Sequence, residues 1–158
     1  RRPCHCWCKL QVLMIRRATL ADLESIVSIE KTFSADAFSR RSLRYFISKD
    51  ATLVLYLDRV AGYSIVTIRT GSDRARLYSI AIESETRGKG YGIELLKASE
   101  EYAITLGAKY MTLEVDENNT VARHLYCSKG YKAYKLLPEY YENGENALRM
   151  VKPLIYKE

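Results

Sequence analysis

Leu77-Tyr78-Ser79-Ile80-Ala81-Ile82, then Arg87-Gly88-Lys89-Gly90-Tyr91-Gly92, then Ile93–Leu106 form the stretch whose reading decides the fold. It reads as strand, glycine-rich loop and helix. Leu95, Leu96, Ser99, Tyr102, Ala103 and Leu106 fall on one helical face, and Gly107 stands where a helix C-terminus favours glycine. Glycines at 88, 90 and 92 remove side chains, so backbone N–H groups can approach a ligand closely. The helix that follows offers unpaired N–H donors and the positive end of its dipole. Arg87 and Lys89 add charge, and the combination suits a pyrophosphate. Taken alone, such a loop is also compatible with a plain turn. A dinucleotide-binding fingerprint would open its domain with a parallel βαβ unit, whereas here three strands in hairpin succession come first.

Upstream, Ile15–Arg17 reads as a short strand. Thr19-Leu20-Ala21-Asp22 resembles an N-cap with an acid in the first turn, and Leu23, Ile26, Val27 and Ile29–Glu30 continue one apolar helical face. The pattern breaks over Phe33–Phe38. Ser39 can cap a second helix carrying Leu43, Phe46 and Ile47. Thr52–Leu57, Val60–Arg69 and Arg76–Ile82 form an antiparallel meander joined by Asp58-Arg59 and Thr70–Asp73. Downstream, Lys109–Val115 is a strand, and Asn118-Asn119-Thr120 leads into a short helix, Val121–Lys129, ended by Gly130. Tyr131–Leu137 and Ala147–Val151 are the last strands. The order β-α-α-β-β-β-α-β-α-β-β gives an α/β fold. Its single mixed, mostly antiparallel sheet has about seven strands, flanked by about four helices.

The 158 residues fit one domain able to bury a core without disulfides or metals. No apolar run approaches the roughly 20 residues of a membrane span. The formal charge is +6. Arg1, Arg2 and Lys9 supply three positives, which leaves 22 basic against 19 acidic residues from Met14 onward. That balance argues against a nucleic-acid partner and agrees with a mildly basic cleft for an anionic ligand. Cys4-His5-Cys6-Trp7-Cys8 lacks the second ligand pair of a structural zinc site, so no metal is expected. Met14 resembles a native start, and residues 1–13 read as a disordered or appended extension without a secretory leader, ahead of a domain over 14–158. Cys127 reads as a small packing residue.

These features together resemble the GNAT acyltransferase superfamily. Arg87, Gly90 and Gly92 match its Q/R-x-x-G-x-G/A motif; Leu77–Ile82 matches the strand before it. Asn119, Ala122, Leu125 and Tyr126 match its N-x-x-A-x-x-L-Y signature, with Gly130-Tyr131 matching the G-F/Y that follows. The likeness spans about Ile15 to Leu154. Within the superfamily the chain is most similar to the protein N-terminal acetyltransferases, including the ribosomal-protein-alanine type. Leu113-Glu114-Val115 matches their L-E-V strand, and Glu139–Ala147 resembles their Y-Y-x-D/N-G-x-D-A loop. Phe33-Ser34-Ala35-Asp36 departs from the F-P-W that the ribosomal enzymes often carry there.

The resemblance implies acetyl transfer from acetyl-CoA to an amine by direct attack in a ternary complex. It implies acetyl-CoA contacts from Ile80, Ala81, Ile82, Arg87, Gly88, Lys89, Gly90, Tyr91, Gly92, Asn119 and Tyr126. Glu114 would be the general base and Tyr126 the general acid; Phe33, Tyr140 and Tyr141 would meet the acceptor. Each has a plainer reading: Glu114 as a solvated strand-end carboxylate, Tyr126 as a core tyrosine among the chain's 13, and Tyr140 and Tyr141 as loop packing against Phe33 and Phe38. His124 lies off the face of position 126 on a helix. The implied acceptor is a protein or peptide N-terminus, a ribosomal protein among the candidates. The implied protein is cytoplasmic, acts away from membranes, and is a monomer or weak homodimer. Two other functions compete: acetylation of a small amine such as a polyamine or antibiotic, and a non-catalytic acyl-CoA-binding module. A closed acidic pocket would favour a small amine and an open groove a peptide.

Overall fold

The computed structural model describes residues 13–33 and 38–154. The Cys4–Cys8 cluster and the Ser34–Asp36 segment lie outside them. The expected element order is present. The strands are β1 (Met14–Arg17), β2 (Thr52–Tyr56), β3 (Val60–Ile68), β4 (Arg74–Ile82), β5 (Tyr110–Asp116), β6 (Lys132–Leu137) and β7 (Ala147–Pro153). The helices are α1 (Leu23–Phe33), α2 (Arg40–Ser48), α3 (Tyr91–Thr105) and α4 (Thr120–Ser128). Boundaries move by one to three residues at several ends. Sheet pairing extends β4 back to Arg74 and β7 on to Pro153.

Local signals set several starts. Ser39 Oγ accepts the Ser42 N–H at 3.1 Å to cap α2. Thr19 caps a short 3-10 turn, Leu20–Asp22, that runs into α1. The Asp22 carboxylate accepts the Thr19 N–H at 2.8 Å and pairs with Arg16 at 2.8 Å, and the Arg16 bond holds its pKa below the usual carboxylate range.

The seven strands form one sheet in the order β1-β2-β3-β4-β5-β7-β6. Each neighbouring pair is antiparallel except β4–β5. Period-two alternation sorts the side chains between two faces. Leu43 and Ile47 of α2 and Ile26, Val27 and Ile29 of α1 bury against Val54, Tyr63, Ile65 and Ala81 on one face. On the other, Leu95, Leu96 and Ala103 of α3 pack with Leu53, Leu55, Leu77, Met111, Leu113 and Met150.

Two departures from regularity place the site. β4 and β5 pair only from Arg74–Tyr110 to Arg76–Thr112. Beyond Arg76 the two strands part, and the β5-facing backbone edge of Leu77–Ile82 has no ladder partner. Opposite β3, the register passes from Ile65–Ser79 to Val66–Leu77, so Tyr78 is the extra residue of a β-bulge. Bulges bend a strand and re-aim a side chain, and this one lies where β4 turns away from β5.

Candidate active site

A cavity of about 560 Å³ lies at the parting strands. Its walls include Tyr78, Ser79 and Ile80 of β4, Leu113, Glu114 and Val115 of β5, Asn119, Ala122 and Tyr126 at α4, Glu30 and Phe33 of α1, and Tyr141. The structure therefore brings together Ile80, Glu114, Asn119, Tyr126, Phe33 and Tyr141 from the sequence-based set. Tyr140 lies next door, in a hollow it shares with Phe38, Arg76, Tyr78 and Glu114.

Glu114 is not the solvated strand-end carboxylate of its plainer reading. Its side chain is 7% exposed. Oε2 accepts the Nε–H of Arg76 and Oε1 the Nε–H of Arg149, each at 3.0 Å. Arg149 is its direct partner across the β5–β7 pair. A carboxylate has about four lone-pair positions, so each oxygen can still accept one more hydrogen bond. Arg76 also donates to the Tyr140 hydroxyl at 2.9 Å and lies 4.2 Å over the Tyr78 ring.

Tyr126 is placed by the α4 N-cap. Asn119 Oδ1 accepts the Ala122 N–H at 3.1 Å, which starts the helix and turns the next face toward the cavity. The Tyr126 ring packs edge-on against Tyr131 at 5.6 Å. Burial pushes its phenol pKa up, so the group is held as a neutral O–H donor. His124 is exposed on the same helix, away from this wall, and Cys127 is exposed rather than packed.

At the other end of the parting, Gly90 caps α3 with φ +82°, and Gly88 has the same φ. A Cβ at either position would meet nothing within 4 Å. The loop is thus an open backbone surface in a conformation that L side chains avoid, ahead of a 15-residue helix. These features fit a pyrophosphate, and the unpaired edge of Ile80–Ile82 between loop and cavity fits an amide-bearing arm. Arg87 Nε donates to the Ile82 carbonyl at 3.1 Å, and its guanidinium lies 5.8 Å from the Phe33 ring centroid. Tyr91 and Gly92 are half-buried and Lys89 exposed.

Glu30 was placed by sequence reasoning on the apolar face of α1 but not in the site. It is 3% exposed, with one oxygen accepting the Phe38 N–H at 3.3 Å and Oε2 unpartnered among the described residues. Burial raises its pKa. Among the described residues no group of three or more His, Cys, Asp or Glu could hold a metal ion, and no helix is long and apolar enough to cross a membrane.

With this geometry in place, the comparisons with known proteins are specific. Residues 18–131 match the acetyltransferase (GNAT) family. An N-acetyltransferase of Methanocaldococcus jannaschii, MJ1530, is 34% identical over 144 residues, covering 89% of this chain and 91% of the relative. An N-alpha-acetyltransferase of Sulfurisphaera tokodaii is 30% identical over 154 residues, covering 89% and 92%. Among solved structures, Ard1 from Thermoplasma volcanium superposes with a TM-score of 0.84 at 22% identity, covering 91% of this chain and 99% of that one. The ribosomal-protein-S18-alanine N-acetyltransferase from Escherichia coli gives 0.79 at 25% identity, covering 92% and 96%. The chain belongs to the acetyltransferase (GNAT) family and is an acetyl-CoA-dependent N-acetyltransferase.

Proposed function

We propose that this chain acetylates the α-amine of a protein N-terminus. The observation that carries the reading is the shape of the acceptor side. Tyr78 and Glu114 line the central cavity and both neighbouring hollows, so the space is a groove that continues past the reacting centre. A groove of that kind fits a polypeptide better than a compact amine.

In this reading, Glu114 draws the proton from the incoming ammonium through a water on its remaining lone pairs, because both of its oxygens already hold an arginine N–H. A modest base suffices. An α-ammonium has a pKa near ~8 against ~10.4 for lysine, so roughly a tenth of α-amines are already neutral at pH 7. The neutral amine attacks the thioester carbonyl, the C–S bond breaks and the Tyr126 phenol donates its proton to the departing thiolate; the second N–H proton of the attacking nitrogen leaves through water and restores the phenol, so the proton drawn off by Glu114 is the one net proton released. Phe33 and Tyr141 flank the first acceptor residue, and Tyr140 is oriented by Arg76. Ile80, Ala81 and Ile82 with Arg87–Gly92, and Asn119 at the α4 cap, hold acetyl-CoA.

A small cationic amine is the second reading, since Glu30, Glu114 and Asp116 all line the cavity. Its weight is reduced by two facts. Glu114 is already paired with two guanidiniums, and burial favours the uncharged form of Glu30. The relatives' names support a protein acceptor: one is an N-alpha-acetyltransferase, and one solved neighbour is named for the alanine of ribosomal protein S18. The test is acetyl-CoA turnover on short peptides with different first residues, beside spermidine and free lysine. Turnover of peptides above both amines is expected; turnover of spermidine alone would overturn the reading.

A further inference from the structure

On the sheet face that alternates away from α3, the groove continues into a hollow of about 430 Å³. Four guanidiniums line it: Arg69 after β3, Arg74 and Arg76 on β4, and Arg149 on β7. Glu114 is its one carboxylate, so the lining holds three uncompensated positive charges. Arg76 and Arg149 spend their Nε–H groups on Glu114. Arg74 lies 5.5 Å over the Tyr110 ring, and neither it nor Arg69 pairs with an acid among the described residues. The β6–β7 register runs from Ala133–Met150 to Lys135–Arg149, which makes Tyr134 a bulged residue, and it too lines this hollow. Arginine with tyrosine at a concave surface is a composition that recognises carboxylates, because the guanidinium fork matches both carboxylate oxygens.

The distance fixes what can lie there. From Ile80, at the central cavity, back to Arg74 is six residues of strand, or about 20 Å at ~3.3 Å per residue. An extended acceptor chain leaving the cavity along β4 reaches Arg76 near its fifth residue and Arg74 and Arg69 about two residues later. We propose that this hollow receives acidic side chains of the acceptor polypeptide, roughly three to seven residues downstream of the acetylated amine. The inference rests on the protein N-terminal reading above and narrows the acceptors to chains with an acidic stretch after the first residues.

The test uses the full chain and three peptides sharing their first three residues, with aspartates, alanines or lysines at the next four. At low salt the acidic peptide should exceed the neutral one about 5- to 10-fold in kcat/KM, as expected for two exposed ion pairs. The gain should sit in KM, and the lysine peptide should be worse than neutral. High salt should compress the differences. The double variant Arg69→Ala/Arg74→Ala should remove the acidic advantage and leave the neutral peptide unchanged, and Arg69→Glu/Arg74→Glu should reverse the preference. Fluorescence anisotropy with N-acetylated peptides of the same tails reads the hollow without turnover. Charge-dependent binding there, with no peptide acetylated, would sink the functional reading and keep the hollow. Turnover with equal KM for all tails would sink the hollow and keep the reading. A preference that survives the double variant, or a short oligonucleotide that displaces the acidic peptide at lower concentration, would also overturn the proposal.

Discussion

Glu114 on β5 and Arg149 on β7 stand directly opposite in the antiparallel pair, with Arg149 Nε–H donating to Glu114 Oε1 at 3.0 Å. Arg76 holds the other oxygen from β4. The carboxylate is therefore fixed in direction as well as in charge, and it faces the cavity that Tyr126 also lines. Glu114→Gln keeps the shape and removes the proton acceptor. Activity on a peptide should fall strongly at pH 7, where most of an α-amine is protonated, and recover toward wild type near pH 9, where most of it is neutral. A loss that stays constant from pH 7 to about 9.5 would recast Glu114 as a positioning residue.

Tyr126→Phe should lower kcat by ~10²–10⁴, the usual contribution of a general acid, while acetyl-CoA affinity stays near wild type. The phenyl ring preserves the edge-on contact with Tyr131. Because burial raises the phenol pKa, no deprotonation of Tyr126 should limit the wild-type rate below pH 10. Steady-state kinetics with calorimetric acetyl-CoA titration checks this; an unchanged kcat would assign the thiolate's proton to water.

Gly90→Val should weaken acetyl-CoA binding strongly, through backbone conformation and through a side chain placed where the phosphates approach. Nothing lies within 4 Å of a Cβ built there, but φ is +82°, where an L residue costs roughly 1–2 kcal/mol and a β-branched one more. Gly90→Ala should weaken binding less. Calorimetry on folded variants measures both; full affinity in Gly90→Val would show that the loop does not bind the pyrophosphate.

Glu30→Gln should stabilise the fold, with a defined pH dependence. Burial raises the native pKa of Glu30 above its unfolded value. The native state therefore keeps a proton that the unfolded chain releases as pH rises above about 4.3, and the wild type loses stability through that window. Glutamine does not titrate. Thermal melts should coincide near pH 4 and separate toward neutral pH, with the variant melting higher. A variant that melts lower at every pH would make Glu30 an indispensable anchor for the Phe38 N–H.

What was legible in the sequence was local. Ser39 announced α2 as an N-cap and accepts the N–H three residues on; Asn118-Asn119-Thr120 marked where α4 begins, and Asn119 proves to be its cap. The glycine loop announced itself through residues that tolerate positive φ. The meander followed from short turns between β-rich runs. The surroundings of Glu114 were not legible, since Arg76 and Arg149 lie 38 and 35 residues away along the chain and meet it only through sheet register. The bulge at Tyr78 is likewise a property of how β4 pairs with β3 and then leaves β5. One signal was available and unused: Arg74 and Arg76 alternate with buried Ala75 and Leu77, which marks a strand with one charged face. Glu30 was hidden differently. The helical period placed it with Ile29 on the buried face of α1, but nothing in the local pattern reports that its carboxyl lines the cavity.

The most direct test of the account is the position of the transferred acetyl group. A peptide with a free α-amine and one internal lysine is incubated with acetyl-CoA and the full chain, beside spermidine, and the product is fragmented in a mass spectrometer. The account requires a single acetyl group on the α-nitrogen, formed faster than acetylspermidine. Acetylation on the lysine Nζ alone, or turnover of spermidine with the peptide untouched, would contradict it.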